Sequence, residues 1–366
     1  MDKIKRFFEC YVDITVCNLR CEYCYVIQHH RNYQKIDAFR YSPEHMVKAL
    51  TQKRLGGVCY FNICGGGETM MMPQLDELVS ALLTEGHRVS ITTNGTYTQG
   101  YEKLLKRLSP DLCKHLHFAF SLHYLELKRK GWLERFAENV HMVQKAGCSF
   151  LVQLNLYDGY TVVIDEIKEY SMSQFGAYPQ IAATRLTEGK TTIELHTAKT
   201  KEDYWQTGKT FQSPLFDFTM QNFMQPRKEF CYAGDWSCLL DLTDGTMRKC
   251  YGDRKGINIF EDIERPIPFE AFGSHCYRRN AYCTNSSHFL SLGTIPNIYE
   301  NITYSQLRNR LEAGWEGEEM RVFLSQKLKN QNTQYPLWQR VYVDMKEPFR
   351  YWKDRVIHKI KRMMHK

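Results

Sequence analysis

The chain is organised around Cys17-Asn18-Leu19-Arg20-Cys21-Glu22-Tyr23-Cys24. The C-x3-C-x2-C spacing lets three thiolates close on one small metal body, and soft thiolates select iron–sulfur clusters or zinc over hard cations. A cube of four irons held by three cysteines keeps one iron without a protein ligand, and an open position distinguishes a reacting metal site from a closed structural one. The segment therefore predicts a reactive iron–sulfur site, with a zinc knuckle or buried core cysteines as the alternatives.

Strand and helix patterns alternate after this segment. The apolar run at 8–16 predicts a buried strand that leads into the cysteine loop. Six strands separated by five helices imply a parallel sheet, which right-handed crossovers curl, with reactive groups at the carboxyl ends of its strands. The other strands are predicted at 58–64, 88–93, 115–123, 150–157 and 180–186, and the helices at 43–55, 73–85, 101–108, 133–145 and 163–175.

Polar residues stand at the predicted carboxyl ends of these strands. Gly66-Gly67-Glu68 follows the second strand, where glycines permit close backbone approach and a carboxylate suits a cation. Each of these residues taken singly is as well explained by a turn or by a satisfied polar side chain. Their joint placement favours a ligand site. The remaining strand-end residues are Asn94, Ser121, His123, Asn155 and Arg185.

The cysteine run, with Tyr23 just before its third cysteine, resembles the signature of the radical S-adenosylmethionine (SAM) enzymes, and Gly66-Gly67-Glu68 resembles their GGE motif. Thr69 departs from the proline that follows the glutamate in many relatives. The resemblance implies an α/β fold, a partial (β/α)6 TIM-like barrel over residues 1–190. It also implies reductive cleavage of SAM to a 5′-deoxyadenosyl radical that takes a hydrogen atom from a substrate, with an electron donor such as flavodoxin or ferredoxin.

By the same resemblance, the [4Fe–4S] cluster that binds SAM is assigned to Cys17, Cys21 and Cys24. The residues expected around SAM are Tyr23, Gly66, Gly67, Glu68, Asn94, Ser121, His123, Asn155 and Arg185.

A second cysteine group follows a mixed, aromatic connecting segment at 191–230. The pattern at 241–245, with Asp-Gly at its turn, predicts a hairpin that can bring Cys231 and Cys250 together. This group resembles the SPASM/Twitch extension, which implies a smaller cysteine-rich α+β domain at 231–310 with an auxiliary [4Fe–4S] cluster. Zinc is the alternative to the auxiliary cluster, because four thiolates also form a closed zinc site. Cys238 could replace one of the proposed ligands. The proposed ligands are Cys231, Cys250, Cys276 and Cys283.

The substrate is only weakly indicated. The stretches 231–236 and 292–296 faintly resemble unclassified radical SAM proteins from bacterial surface-polysaccharide gene clusters, which favours oxidation or epimerisation of a sugar or polyol. Aromatic residues between 191 and 225 suit a carbohydrate or a peptide. A peptide- or protein-modifying maturase and a non-catalytic zinc-binding interaction protein remain alternatives, and no hydrogen donor or base is identified.

Charge and composition limit the partners. The formal net charge is +8, of which residues 350–366 carry most, so the body is nearly neutral and nucleic-acid binding is not expected. Metal-type cysteine spacing and the lack of a signal-peptide pattern predict a reducing, cytoplasmic location. The helical region 311–366 ends in a basic amphipathic tail. This tail either contacts an anionic membrane or a partner, or packs back on the domain with its basic face in solvent.

Overall fold

The structure is a computed structural model. It describes residues 2–30, 34–186, 193–223, 225, 227–251, 253, 255–274 and 287–364. The proposed ligands Cys276 and Cys283 lie outside the described residues. No helix in the described part of the chain is both long enough and apolar enough to cross a bilayer.

Eleven strands are assigned in the described residues. They are β1 (Arg6–Val12), β2 (Cys59–Gly65), β3 (Arg88–Thr93), β4 (Leu116–Ser121), β5 (Ser149–Leu156), β6 (Gln180–Ala183), β7 (Arg185–Leu186), β8 (Glu194–Leu195), β9 (Ser237–Asp241), β10 (Thr246–Arg248) and β11 (Ile257–Asn258).

The α-helices of the described residues fall mainly between these strands and after them. They are α1 (Tyr25–Gln28), α2 (Pro43–Ala49), α3 (Gln52–Leu55), α4 (Leu75–Thr84), α5 (Thr98–Arg107), α6 (Pro110–Cys113), α7 (Tyr124–Lys130), α8 (Leu133–Lys145), α9 (Ile164–Phe175), α10 (Lys201–Lys209), α11 (Pro214–Asn222), α12 (Ser287–Ser291), α13 (Tyr304–Arg308), α14 (Glu318–Leu324) and α15 (Leu337–Met364).

The first six strands pair in chain order, each parallel to the next, as the sequence predicts. Helices cover the outer face, because β1 sends Phe8, Cys10 and Val12 into the same core as apolar side chains of α2, α4, α5 and α8. This arrangement confirms the α/β class and the six-stranded partial barrel. The carboxyl ends of β1–β6 therefore lie along one rim.

Three predicted elements end differently in the structure. The first strand stops at Val12 rather than residue 16, because Ile14 and Val16 turn their carbonyls to the backbone N–H groups of Gly67 and Glu68. The predicted helix at 43–55 divides into α2 and α3, and Thr51 caps the second piece. The sixth strand is interrupted where the Thr184 N–H bonds to the Tyr204 hydroxyl instead of a neighbouring strand.

The predicted hairpin forms, but it does not make a sheet of its own. Strands β9 and β10 are antiparallel, and Gly245 adopts the left-handed φ of +83° that the turn requires. Strand β9 also pairs in parallel with β1, so the hairpin and β11 extend the barrel sheet to nine strands. The boundaries 190, 230 and 310 remain predictions.

Apolar residues from the C-terminal region fill the amino-terminal end of the barrel interior. Phe7 and Tyr60 are fully buried on the interior face of β1 and β2, in a second core with side chains of α12, α13 and α14. Glu9 and Asn62 follow two residues later on the same face of these strands. The interior thus changes from apolar to polar toward the rim that carries the cysteine loop.

Candidate functional site

The three cysteines of the 17–24 segment lie in the loop between β1 and α1, with Cys24 at the N-cap of α1. Burial raises the pKa of Cys17 to about 11. Burial raises the pKa of Cys21 further, and the neighbouring thiols of Cys17 and Cys24 add to that shift. Thiolates that repel one another at a buried site are stabilised by a positively charged metal body, so this donor set fits an iron–sulfur cluster.

Polar contacts from several strand ends hold the cysteine loop in place. The Tyr23 hydroxyl lies 2.7 Å from His123 Nδ1 and 2.9 Å from the Tyr160 hydroxyl. Asn18 Nδ2 donates to Thr96 Oγ1 at 2.8 Å. Burial lowers the pKa of His123 to about 4, so its ring is neutral at pH 7. The loop is therefore oriented by β3, β4 and β5 as well as by its own strand.

The glycine turn after β2 packs against the chain that leads into the cysteine loop. A Cβ on Gly67 would lie 2.0 Å from the Val16 carbonyl oxygen, and one on Gly65 would lie 2.6 Å from Ile14 Cγ2. Gly66 has Tyr11 Oη and the Ile14 carbonyl at 3.0 and 3.1 Å from such a Cβ. The glycines are thus required by a close crossing of two chain segments, a reason that the sequence did not reveal.

The side chain of Glu68, which follows this turn, is buried and accepts hydrogen bonds. Its carboxylate is 1% exposed and accepts hydrogen bonds from Thr93 Oγ1 at 2.5 Å, Asn94 N at 2.6 Å and Met70 N at 3.0 Å. Asn94 in turn donates from Nδ2 to Cys17 Sγ at 3.7 Å and to Asn18 Oδ1 at 2.8 Å. Glu68 therefore positions Asn94, and Asn94 contacts the first cysteine.

The other predicted strand-end residues fall into two groups. Ser121 and Asn155 are half-buried, and neither side chain hydrogen-bonds another residue in the part of the chain that the structure describes. His123 is committed to Tyr23. Arg185 lies further inside, where burial lowers its pKa and the hydroxyls of Tyr251, Tyr204 and Tyr25 oppose that shift. The rim therefore gathers Tyr23, Gly66, Gly67, Glu68, Asn94 and His123 about the cysteine loop.

The sequence analysis missed a set of polar residues on the interior face. Glu9 pairs with Asn62 in the β1–β2 register, and Asn62 Nδ2 lies 3.2 Å from each carboxylate oxygen. Burial raises the pKa of Glu9 to about 7, against the hydrogen bonds from Asn62 and Tyr251 and the charge of Arg185. We call Glu9, Tyr25, Asn62, Arg185 and Tyr251 the interior polar cluster.

The two tyrosines of the cluster are accessible to solvent. Tyr25 and Tyr251 keep 52% and 43% of their surface accessible, although burial is the main cause of the raised pKa of both hydroxyls. Tyr25 follows Cys24 directly in the chain, and the charge of Cys24 contributes to the pKa of Tyr25, so the cluster adjoins the cysteine loop. Strand alternation could have identified Glu9, because it is the one acidic residue within β1.

The second cysteine group is described in part. Cys231 and Cys250 are both half-buried, and Cys231 forms a backbone bridge with Gly273. Cys238 is fully buried in β9 opposite Phe8, within the main core. No group of three or more Cys, His, Asp or Glu within the described ranges, the three cysteines of the 17–24 segment included, is close enough to hold a single metal ion. The auxiliary ligand set remains a prediction.

The chain is similar to one protein family and to several solved structures. The family described as the radical SAM superfamily matches residues 11–170. None of the curated proteins matches the chain. Among solved structures, SuiB of Streptococcus suis is similar at 16% identity and a TM-score of 0.51, over 73% of this chain and 67% of that one.

SuiB bound to the precursor peptide SuiA is similar at 15% identity and a TM-score of 0.50, over 73% of this chain and 65% of that one. The enzyme anSMEcpe with bound AdoMet has 13% identity and a TM-score of 0.46, over 98% and 96% of the two chains. At identities this low, the two SuiB structures show a shared fold alone. The family match falls on the cysteine loop and most of the parallel strands, so residues 11–170 form a radical SAM domain. The radical SAM superfamily uses a [4Fe–4S] cluster and SAM.

Proposed function

We propose that this chain cleaves SAM reductively and abstracts a hydrogen atom from a small polyhydroxylated substrate, a sugar or polyol, held by the interior polar cluster. The observation that carries the proposal is the position of that cluster, on the interior face of β1 and β2 beside the cysteine loop. Radical SAM enzymes need an electron donor, and a flavodoxin or ferredoxin fits a cytoplasmic enzyme with this thiol content.

The residues proposed to bind the cluster and SAM lie at the rim formed by the carboxyl ends of the strands. Cys17, Cys21 and Cys24 would hold the [4Fe–4S] cluster, which with SAM supplies the 5′-deoxyadenosyl radical. Ser121 and Asn155, with polar atoms not committed within the described chain, would contact SAM. Tyr23, Gly66, Gly67, Glu68, Asn94 and His123 would shape the space around it, and Glu68 and His123 would do so through the hydrogen bonds described above.

The cluster suits hydroxyl groups better than an apolar substrate. Glu9 and Asn62 offer acceptors, Arg185 offers donors, and the tyrosine hydroxyls can act as either. A carboxyl group with a pKa near 7 can take up a proton at neutral pH, as the oxidation of an alcohol requires. Arg185, which the sequence analysis assigned to SAM, would contact the substrate instead, because it is buried and the charges of Tyr251, Tyr25 and Glu9 act on its pKa.

Oxidation and epimerisation require different chemical groups beside the substrate. Oxidation needs the proton acceptor that Glu9 provides, whereas epimerisation needs a hydrogen-atom donor. Cys64 follows Asn62 by two residues on β2, and the charge of Glu9 adds to the burial that raises the pKa of its thiol, so this thiol lies at the cluster. We favour oxidation, and Cys64 is the donor if the product proves to be an epimer.

The auxiliary cysteines complete this proposal. Cys231 and Cys250, with Cys276 and Cys283 outside the described residues, would hold an auxiliary [4Fe–4S] cluster able to accept an electron from the substrate. Iron and inorganic sulfide beyond one cluster per chain after anaerobic purification would support this. Zinc in their place would assign the second group a structural role.

The test begins with anaerobic reconstitution and reduction in the presence of SAM, with 5′-deoxyadenosine measured by mass spectrometry. Deuterated sugars and aminocyclitols are then screened for transfer of deuterium into that product. Glu9→Gln and Arg185→Lys should retain slow cleavage of SAM without substrate but lose the increase that substrate brings. Glu316→Gln is the matched control, since its buried carboxyl also has a pKa raised to about 7 but bonds to Ser305 elsewhere.

A modified ribosomal peptide is the second candidate, because the SuiB structure with its precursor peptide has a similar fold. Deuterium transfer from a labelled peptide and from no sugar would establish it in place of the polyol. A protein with full iron and sulfide that forms no 5′-deoxyadenosine would contradict both candidates.

A further inference from the structure

Helix α15 presents an apolar stripe to solvent. Its apolar side chains recur at steps of three and four residues, which places them on one side of a helix. Trp338, Phe349 and Trp352 are 72%, 73% and 68% exposed. Exposed apolar surface of this extent marks an interaction site. The stripe consists of Leu337, Trp338, Val341, Tyr342, Met345, Phe349, Trp352 and Val356.

The helix is attached to the body by a different side. Val343 is 3% exposed, and Asp344 accepts hydrogen bonds from the backbone N–H and the hydroxyl of Ser274 at 2.5 and 2.9 Å. Lys346 pairs with Glu270 at 3.2 Å. The stripe is therefore not covered by the body in the part of the chain that the structure describes. The docked start of the helix holds the stripe outward.

Charge and side-chain type together indicate what covers it. From residue 337 to the last residue the sequence has nine lysines and arginines against three acidic residues. Two copies of so positive a helix would repel each other, whereas a surface of anionic lipids would attract them. Tryptophan, tyrosine and phenylalanine are the side chains that bury well at the boundary between headgroups and acyl chains.

We propose that α15 lies flat on a membrane rich in anionic lipids, with the stripe buried among the headgroups, and holds the enzyme at that surface. The stripe runs from Leu337 to Val356, which corresponds to about 30 Å of contact along the bilayer. Apolar burial and the basic charge are the two signals that stable but reversible anchoring requires. The inference is independent of the substrate, since the stripe takes no part in the site.

The experiment is flotation of the full-length protein with vesicles of phosphatidylcholine containing about a third phosphatidylglycerol, compared with pure phosphatidylcholine. We expect binding to the anionic vesicles at least tenfold above the neutral ones, falling as salt is raised because the attraction is screened. Trp338 and Trp352 should shift their fluorescence to the blue on binding, as side chains leaving water do.

The variant Trp338→Gln/Phe349→Gln/Trp352→Gln should lose at least tenfold in vesicle binding while it still cleaves SAM. Leu311→Gln is the control, because Leu311 is 65% exposed but lies outside α15, and it should bind vesicles as the wild type does. The proposal is overturned if the wild type does not float with anionic vesicles at low salt, or if the triple variant floats equally well. A dimer in solution that the triple variant abolishes, without vesicle binding, would assign the stripe to a second copy instead.

Discussion

The carboxylate of Glu68 accepts a hydrogen bond from the backbone N–H of Asn94 at 2.6 Å, and the Asn94 side chain reaches Cys17. A buried carboxylate thus links the turn after β2 to the end of β3 and, through one amide, to the cysteine loop. The substitution Glu68→Gln replaces one acceptor oxygen with an NH2 group that faces donors. Because a buried donor then lacks a partner, we expect the free energy of unfolding to fall by about 2 kcal/mol.

This prediction is checked by urea unfolding of the apo protein, together with SAM binding by calorimetry. Glu22→Gln is the control on the cysteine loop itself, since Glu22 is exposed and accepts a hydrogen bond from Tyr157. Equal stability losses in the two variants would show that the Glu68 link is no stronger than a surface hydrogen bond.

The substitution Gly67→Ala should disrupt the site through sterics alone. Its Cβ would lie 2.0 Å from the Val16 carbonyl oxygen, a backbone atom that moves only if the cysteine loop moves. We expect a loss of about 3 kcal/mol or more in the free energy of unfolding. Cluster content and SAM cleavage should fall with it.

Gly131→Ala is the matched control for this change. Gly131 has a left-handed φ of +67° and nothing within 4 Å of a Cβ, so alanine there should cost only about 1 kcal/mol of backbone strain. Iron content after reconstitution and urea unfolding distinguish the two variants. A Gly67→Ala protein with a normal iron content would contradict the close contact between Gly67 and the Val16 backbone.

The pH dependence of stability should report on Glu9. Burial raises its pKa to about 7, above the value near 4.5 in the unfolded chain, so the unionised form is favoured by folding. The resulting stabilisation is complete below about pH 4.5 and is lost as the pH rises through 7. Its upper bound is about 3 kcal/mol.

Glu9→Gln should remove this contribution, so the difference in unfolding free energy between wild type and variant should change with pH, with a midpoint near pH 6. Urea unfolding of the apo protein from pH 4.5 to 8 measures it. Glu316→Gln should show a separate change of the same sign, because burial raises that pKa to about 7 as well. If the difference in unfolding free energy between wild type and Glu9→Gln does not change with pH, the Glu9 carboxyl is in contact with water.

Replacement of the loop cysteines should abolish the radical chemistry without unfolding the chain. We expect Cys24→Ala to lose the visible absorbance of the cluster and the formation of 5′-deoxyadenosine, because a second corner of the cube then has no protein ligand. Cys113→Ala is the control, since Cys113 is buried near Cys148 and takes no part in the loop. Cluster absorbance that survives in Cys24→Ala would contradict the assignment of Cys24.

Secondary structure near the barrel was largely predictable from sequence. The strand Arg88–Thr93 and the helix Leu133–Lys145 match their predictions to the residue, because their apolar spacing and their glycine stops are local signals. The segment between 191 and 225 could also have been interpreted. Thr200 caps α10, and Ser213 before Pro214 caps α11, so two helix starts were present but obscured by aromatic residues.

The sequence by itself determined the alternation of strands and helices and the three thiols at the end of the first strand, because spacing and periodicity are properties of neighbouring residues. Only the tertiary structure decided that β9 joins β1, that Glu68 holds Asn94, and that Glu9 meets Asn62 inside the barrel. Each of these contacts joins residues 25 or more positions apart, and their register depends on how the whole sheet packs rather than on any local pattern.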